Sequence, residues 1–147
     1  MEDFEVKLIA CRALRDELTR VAPQLEVEWT SGMLHRSPEK MQSELNERIA
    51  AIPGRRTILL GYGRCGNGTV GLKAGSHRLV LPAVDDCIAL LLGSRRRYLE
   101  DLEAERGTLY YTRGWLEELG DDPYQEYLKA ISRLGEAKAR KAALRIM

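Results

Sequence analysis

Short apolar runs alternate with amphipathic segments along most of this chain, and that alternation constrains the fold more than any other feature. Val6 to Ala10 reads as a strand ending at Cys11, and Leu14, Leu18 and Val21 then share one helical face until Pro23. Leu25 to Trp29 alternates apolar and acidic residues, as a strand at a sheet edge does. Ser37 and Pro38 open a helix that carries Met41, Leu45 and Ile49 at intervals of one turn and closes at Pro53-Gly54. Thr57 to Leu60 and Arg78 to Val84 read as the third and fourth strands. Asp85-Asp86 caps a helix with Ile88, Leu91, Leu92, Leu99 and Leu102 on its buried stripe, and Gly107 ends it. Thr108 to Thr112 reads as a fifth strand, and the pattern from Trp115 onward is helical.

Strands separated by helices demand crossovers, and crossovers return the chain to the same end of a parallel sheet. The expectation is an α/β three-layer sandwich on a mainly parallel five-stranded sheet, with a flavodoxin-like order. At 147 residues there is room for one domain, residues 1–147, with a core over 6–114 and C-terminal helices over 115–147. The balance of 23 Lys+Arg against 22 Asp+Glu leaves +1, too little to recruit nucleic acid through a global field. The acidic start lacks the basic and apolar parts of an export signal, and no apolar run reaches transmembrane length, so a cytoplasmic location without membrane contact is expected.

A parallel sheet also gathers the segments after its strands along one carboxyl edge, where open α/β proteins bind ligands. Cys11, the segment containing His35, the glycine-rich stretch with Cys65, and Asp85-Asp86-Cys87 all fall there. Three cysteines are an odd number for a disulfide framework. Thiolate and imidazole together make a recognised zinc set, so Cys11, Cys65, Cys87 and His35 are candidate metal ligands, with zinc first and an iron–sulfur cluster as the alternative. Asp85 and Asp86 are expected to orient His35. The competing reading of the same residues is three buried, inert thiols in a scaffold protein, since cysteine is among the most buried residue types and no C-x-x-C pair occurs.

Five glycines between residues 61 and 71 rule out a packed helix. A loop built from Gly61, Tyr62, Gly63, Gly66, Asn67 and Gly68, next to the helix start at Asp85 and Asp86, is a candidate for a small anionic ligand or substrate. Its match to a dinucleotide fingerprint is at chance level, because no long helix comes directly after it. Close packing around Cys65 explains the same glycines. His77 and the Arg95-Arg96-Arg97 run read as solvated.

The motifs Gly61-Tyr62-Gly63-x-Cys65-Gly66-Asn67-Gly68-x-x-Gly71-Leu72 and Asp85-Asp86-Cys87-Ile88-Ala89-Leu90-Leu91-Leu92-Gly93-Ser94 resemble those of a prokaryotic domain-of-unknown-function family, number 1638. Leu8-Ile9-Ala10-Cys11, Leu34-His35 and Tyr110-Tyr111-Thr112-x-Gly114-Trp115 join the resemblance. It implies no reaction. It does imply an association with anaerobic and methylotrophic genomes, with corrinoid methyltransferase components as partners in metal handling or methyl transfer. It also implies longer relatives, so that this chain would be a short or incomplete member. Finally, Leu128, Ile131, Leu134, Ala139, Ala142, Ala143, Ile146 and Met147 continue an apolar stripe, which predicts a homo-oligomer through the C-terminal helices.

Overall fold

The computed structural model describes residues 5–105, 110, 112–119 and 135. Strand β1 (Val6–Cys11) leads through a 3-10 turn (Arg12–Leu14) into α1 (Arg15–Val21), and β2 (Val27–Thr30) through a second 3-10 segment (Gly32–Arg36) into α2 (Pro38–Ala51). Strands β3 (Thr57–Gly61) and β4 (Arg78–Val80) come next, then α3 (Cys87–Leu91), α4 (Arg95–Ala104) and α5 (Arg113–Leu119). The sheet has the order β2-β1-β3-β4 and every pair is parallel.

Among the described residues the sheet has four strands where five were expected. The segment Thr108 to Thr112 lies mostly outside the described residues, and its two described members, Tyr110 and Thr112, are not in a strand. The fourth strand is also shorter than its apolar run, stopping at Val80 before Leu81-Pro82, since proline has no N–H for the ladder. The helix expected from Asp86 through Leu102 divides in two. Gly93 takes a positive φ of 69° and Ser94 starts the second piece by accepting the Arg97 N–H.

Side chains of paired residues in a parallel sheet share a face, so the register sorts the core. Ile9 pairs with Leu60 and Lys7 with Ile58, and Ile9, Ile58, Leu60 and Tyr62 pack with Met41, Leu45 and Ile49 of α2. The four-residue spacing on α2 therefore faces one side of the sheet. Leu8 pairs with Leu59 and looks to the other side, toward α1. Gly61 lies opposite Ala10, where a Cβ would come within 2.6 Å of the alanine methyl. The sequence hops from β2 over β1 to β3, so the crevice of this sheet opens between the carboxyl ends of β1 and β3. Among the described residues no helix is long and apolar enough to cross a membrane. The C-terminal stripe from Leu128 to Met147 lies outside the described residues.

Candidate functional site

Two loops are stitched together at that crevice. Arg64 N–H donates to the Val84 carbonyl (2.9 Å) and Cys65 N–H to the Asp85 carbonyl (3.0 Å), which brings the turn after β3 against the start of α3. Gly63 makes the approach possible, because a Cβ there would stand 2.6 Å from the Asp86 backbone. Past it, Cys65, Gly66 and Asn67 take φ values of 45°, 64° and 71°, and Gly68 N–H closes the turn on the Cys65 carbonyl (3.2 Å). A cysteine and an asparagine in the left-handed region each cost on the order of 1 kcal/mol, so the surroundings must hold them. They do. Buried Thr69 donates to the Gly63 and Arg64 carbonyls, Gln42 of α2 to the Val70 carbonyl, and a Cβ on Gly68 would strike Met41.

All three cysteines fall at this edge of the sheet. Cys11 ends β1 on the α2 face, and with Cys65 it packs against the core cluster. Cys87 opens α3 and is buried. Polar groups near each sulfur oppose part of the rise caused by burial: the Ala13 backbone at Cys11, the Gly63 backbone at Cys65 and the Trp115 side chain at Cys87. Burial nevertheless dominates. It pushes the Cys11 thiol up to about 11 and the Cys65 thiol up to about 12, against the pull of those groups. Burial raises Cys87 as well. The charge of Cys87 raises both other thiols and that of Cys11 raises Cys65, so the three are electrostatic neighbours. Glu118 adds to the rise at Cys11, and Asp86 to that at Cys65 and Cys87.

The other candidates divide. Asp86 accepts the Ile88 and Ala89 N–H groups as the α3 cap and the Tyr98 hydroxyl (3.0 Å), while Asp85 pairs with Arg95 (3.0 Å). Neither orients His35, as the sequence suggested. His35 instead hydrogen-bonds through Nδ1 to the Gly32 carbonyl, and its ring lies 5.1 Å from that of Trp115. A carbonyl only accepts, so Nδ1 is the donor in this bond. Tyr62 is a core residue whose hydroxyl donates to Thr30 Oγ1, which in turn donates to the Ala10 carbonyl (3.3 Å). Gly61, Gly63 and Gly68 serve close packing, whereas Gly66 and Asn67 are exposed at the turn. In the loop proposed for anions, the N–H groups of Arg64, Cys65, Gly68 and Val70 are already taken by carbonyls. As arranged, no group of three or more His, Cys, Asp and Glu among the described residues is set to hold an ion.

The model of the family described as Protein of unknown function (DUF1638) matches residues 29–146. The chain belongs to that family. The DUF1638 match takes in Cys65, Cys87, the left-handed turn and Trp115, whereas Cys11 precedes it. No curated protein and no solved structure matches the chain.

Reasoning from the DUF1638 sequence missed the part played by α5. Gly114 packs so closely on the Ala13 carbonyl that a Cβ would stand 2.2 Å from its oxygen. Glu118 accepts the Gly32 N–H (3.0 Å) and pairs with Arg12 (3.6 Å), while Arg15 pairs with Glu117 (3.2 Å). These contacts seat Trp115 between its two partners. The adjacent Gly114-Trp115 was the one legible signal, since a glycine beside a large aromatic marks close backbone approach. Glu118 gave none.

Proposed function

We propose that this DUF1638 protein binds a soft or borderline metal through Cys11, Cys65 and Cys87 at the β1/β3 crevice. The observation that carries this reading is that three separate segments bring three cysteines, one buried and two half-buried, to one edge of the sheet. Hydrogen bonds to sulfur stabilise thiolates at metal centres and tune the bound ion. A cation must displace the thiol protons, so binding releases protons and strengthens as pH rises. The described residues are not set to hold an ion as they stand, so binding requires the cysteine side chains to turn toward one another. Zinc suits three thiolates with a fourth position left to solvent, to a ligand or to His35 Nε2, and an iron–sulfur cluster is the alternative occupant. The three-layer, flavodoxin-like arrangement, completed by a fifth strand beyond the described sheet, belongs to the same proposal.

The test is anaerobic titration of the reduced protein with Co(II), a spectroscopic substitute for zinc. Sulfur-to-cobalt charge transfer saturating at one equivalent, lost in stages on Cys11→Ser, Cys65→Ser and Cys87→Ser, is the expected result. A brown protein carrying iron and sulfide as purified would assign the cluster instead. Absence of any sulfur-to-metal band would leave the thiols as buried packing groups.

A further inference from the structure

The opposite face of the sheet holds a second feature, unconnected with the thiols. A cavity of about 540 Å³ lies between the sheet, α1 and α3. Leu8 and Leu59 form its floor, Leu14 and Leu18 one wall, and Val80 and Leu90 the other. Its volume falls within the range of small-molecule sites and far exceeds that of a packing defect. Among the described lining residues a single side chain is polar, that of Glu17. Its Oε2 is buried and has no hydrogen-bond partner among the described residues.

An unpaired carboxylate oxygen at an apolar wall is unfavourable, because burial removes its water and supplies nothing in return. Proteins tolerate such a group where a partner arrives from outside. The partner must bring a donor, and a cation is the best complement to a carboxylate. It must also bring apolar surface, since leucine, valine and proline side chains make up most of the rest of the lining.

We infer that this cavity binds a small amphipathic cation, an alkyl or aryl ammonium whose apolar body fills the leucine walls and whose N–H groups pair with Glu17 Oε2. None of the three cysteines is among the described lining residues, so the inference does not depend on the metal reading.

Three probes of one length separate the contributions: octylammonium, octanol and octanoate. Calorimetric titration of the full chain, with chelator present to keep metal away, should show saturable binding of octylammonium. Its affinity should exceed those of octanol and octanoate by at least about tenfold, the scale of one charge-assisted hydrogen bond. Glu17→Gln should bring octylammonium and octanol within about threefold of each other while leaving octanol binding unchanged. The wild-type series decides the matter even if the variant folds poorly. No saturable binding at millimolar octylammonium, or octanoate binding as well as octylammonium, would overturn the inference. So would a dimer on sedimentation that excludes all three probes, which would give the groove to a second copy of the chain.

Discussion

Replacing Gly63 with alanine tests whether the stitch between the β3 turn and the α3 start holds the thiols together. Gly63 is outside the left-handed region, so alanine meets no torsional penalty there. By restricting the unfolded chain it would even stabilise by about 0.4–1 kcal/mol. Against that, its Cβ would lie 2.6 Å from both Cα and C of Asp86, and these are backbone atoms that no rotamer change can move aside. Reaching an ordinary 3.4 Å contact opens the gap by roughly 0.8 Å. The neighbouring bonds at 2.9 and 3.0 Å, Arg64 to Val84 and Cys65 to Asp85, would then pass beyond hydrogen-bond range. Overpacking costs about 1–3 kcal/mol and each weakened bond about 1, so the net loss should be about 2–4 kcal/mol. Urea unfolding of the metal-free protein measures it. Cobalt affinity should fall in parallel, because Cys87 retreats from Cys65. Gly66→Ala is the control, with φ at 64° and nothing nearer than Pro38 Cγ at 3.7 Å, and should cost only about 1 kcal/mol. A Gly63→Ala protein within about 0.5 kcal/mol of wild type, or one destabilised with unchanged cobalt affinity, would refute the reasoning.

Asn67→Gly should stabilise the protein by about 0.5–1 kcal/mol, since glycine occupies a φ of 71° without strain; an unchanged or lower urea midpoint would count against the turn. Stability should fall as pH rises above 9.0, the ordinary thiol value, toward about 11, because the folded chain still holds the Cys11 and Cys65 protons that the unfolded chain has lost. Urea midpoints at about pH 8 and about pH 10.5 check this, and Cys11→Ala with Cys65→Ala should flatten part of the drop; a wild-type midpoint that rises or holds contradicts the burial argument. Trp115→Phe keeps an aromatic ring beside His35 but removes the N–H at Cys87. Cobalt affinity should fall about tenfold with a shifted charge-transfer band, and an unmoved band would show that the indole only packs.

What could be read in advance tracked the reach of each signal. The periods of 2 and of 3.6 are written into every apolar side chain, so β1, β2, β3 and α2 stand close to where the alternation put them. Ser37 and Asp86 do sit at helix starts, although only Asp86 caps with its side chain. The parallel connection rule then carried Cys11, Cys65 and Cys87 to one edge without any motif linking them. Ends were harder to read. The strand from Arg78 stops early because proline intervenes, and the helix from Cys87 breaks because Gly93 supplies a left-handed turn that the leucine stripe conceals. His35 was legible as a residue near the edge but not as one held by Gly32 and Trp115, since a 3-10 segment has no periodic signature.

The glycine-rich stretch shows why composition alone pointed two ways. Glycine density says that backbone approaches something closely or turns to the left, and an anion or another segment of chain satisfies the first condition equally well. The structure gives each glycine its own cause: Gly61 meets Ala10, Gly63 meets Asp86, Gly68 meets Met41, and Gly66 and Gly71 turn left. Three of the five are contacts with distant segments, and those segments belong to β1, the α3 cap and α2. The loop thus ties together the elements that carry Cys11 and Cys87 while holding Cys65 itself at a φ of 45°. A cysteine kept in that strained conformation by the packing of the turn around it is placed by the fold, which is what the proposed metal site requires.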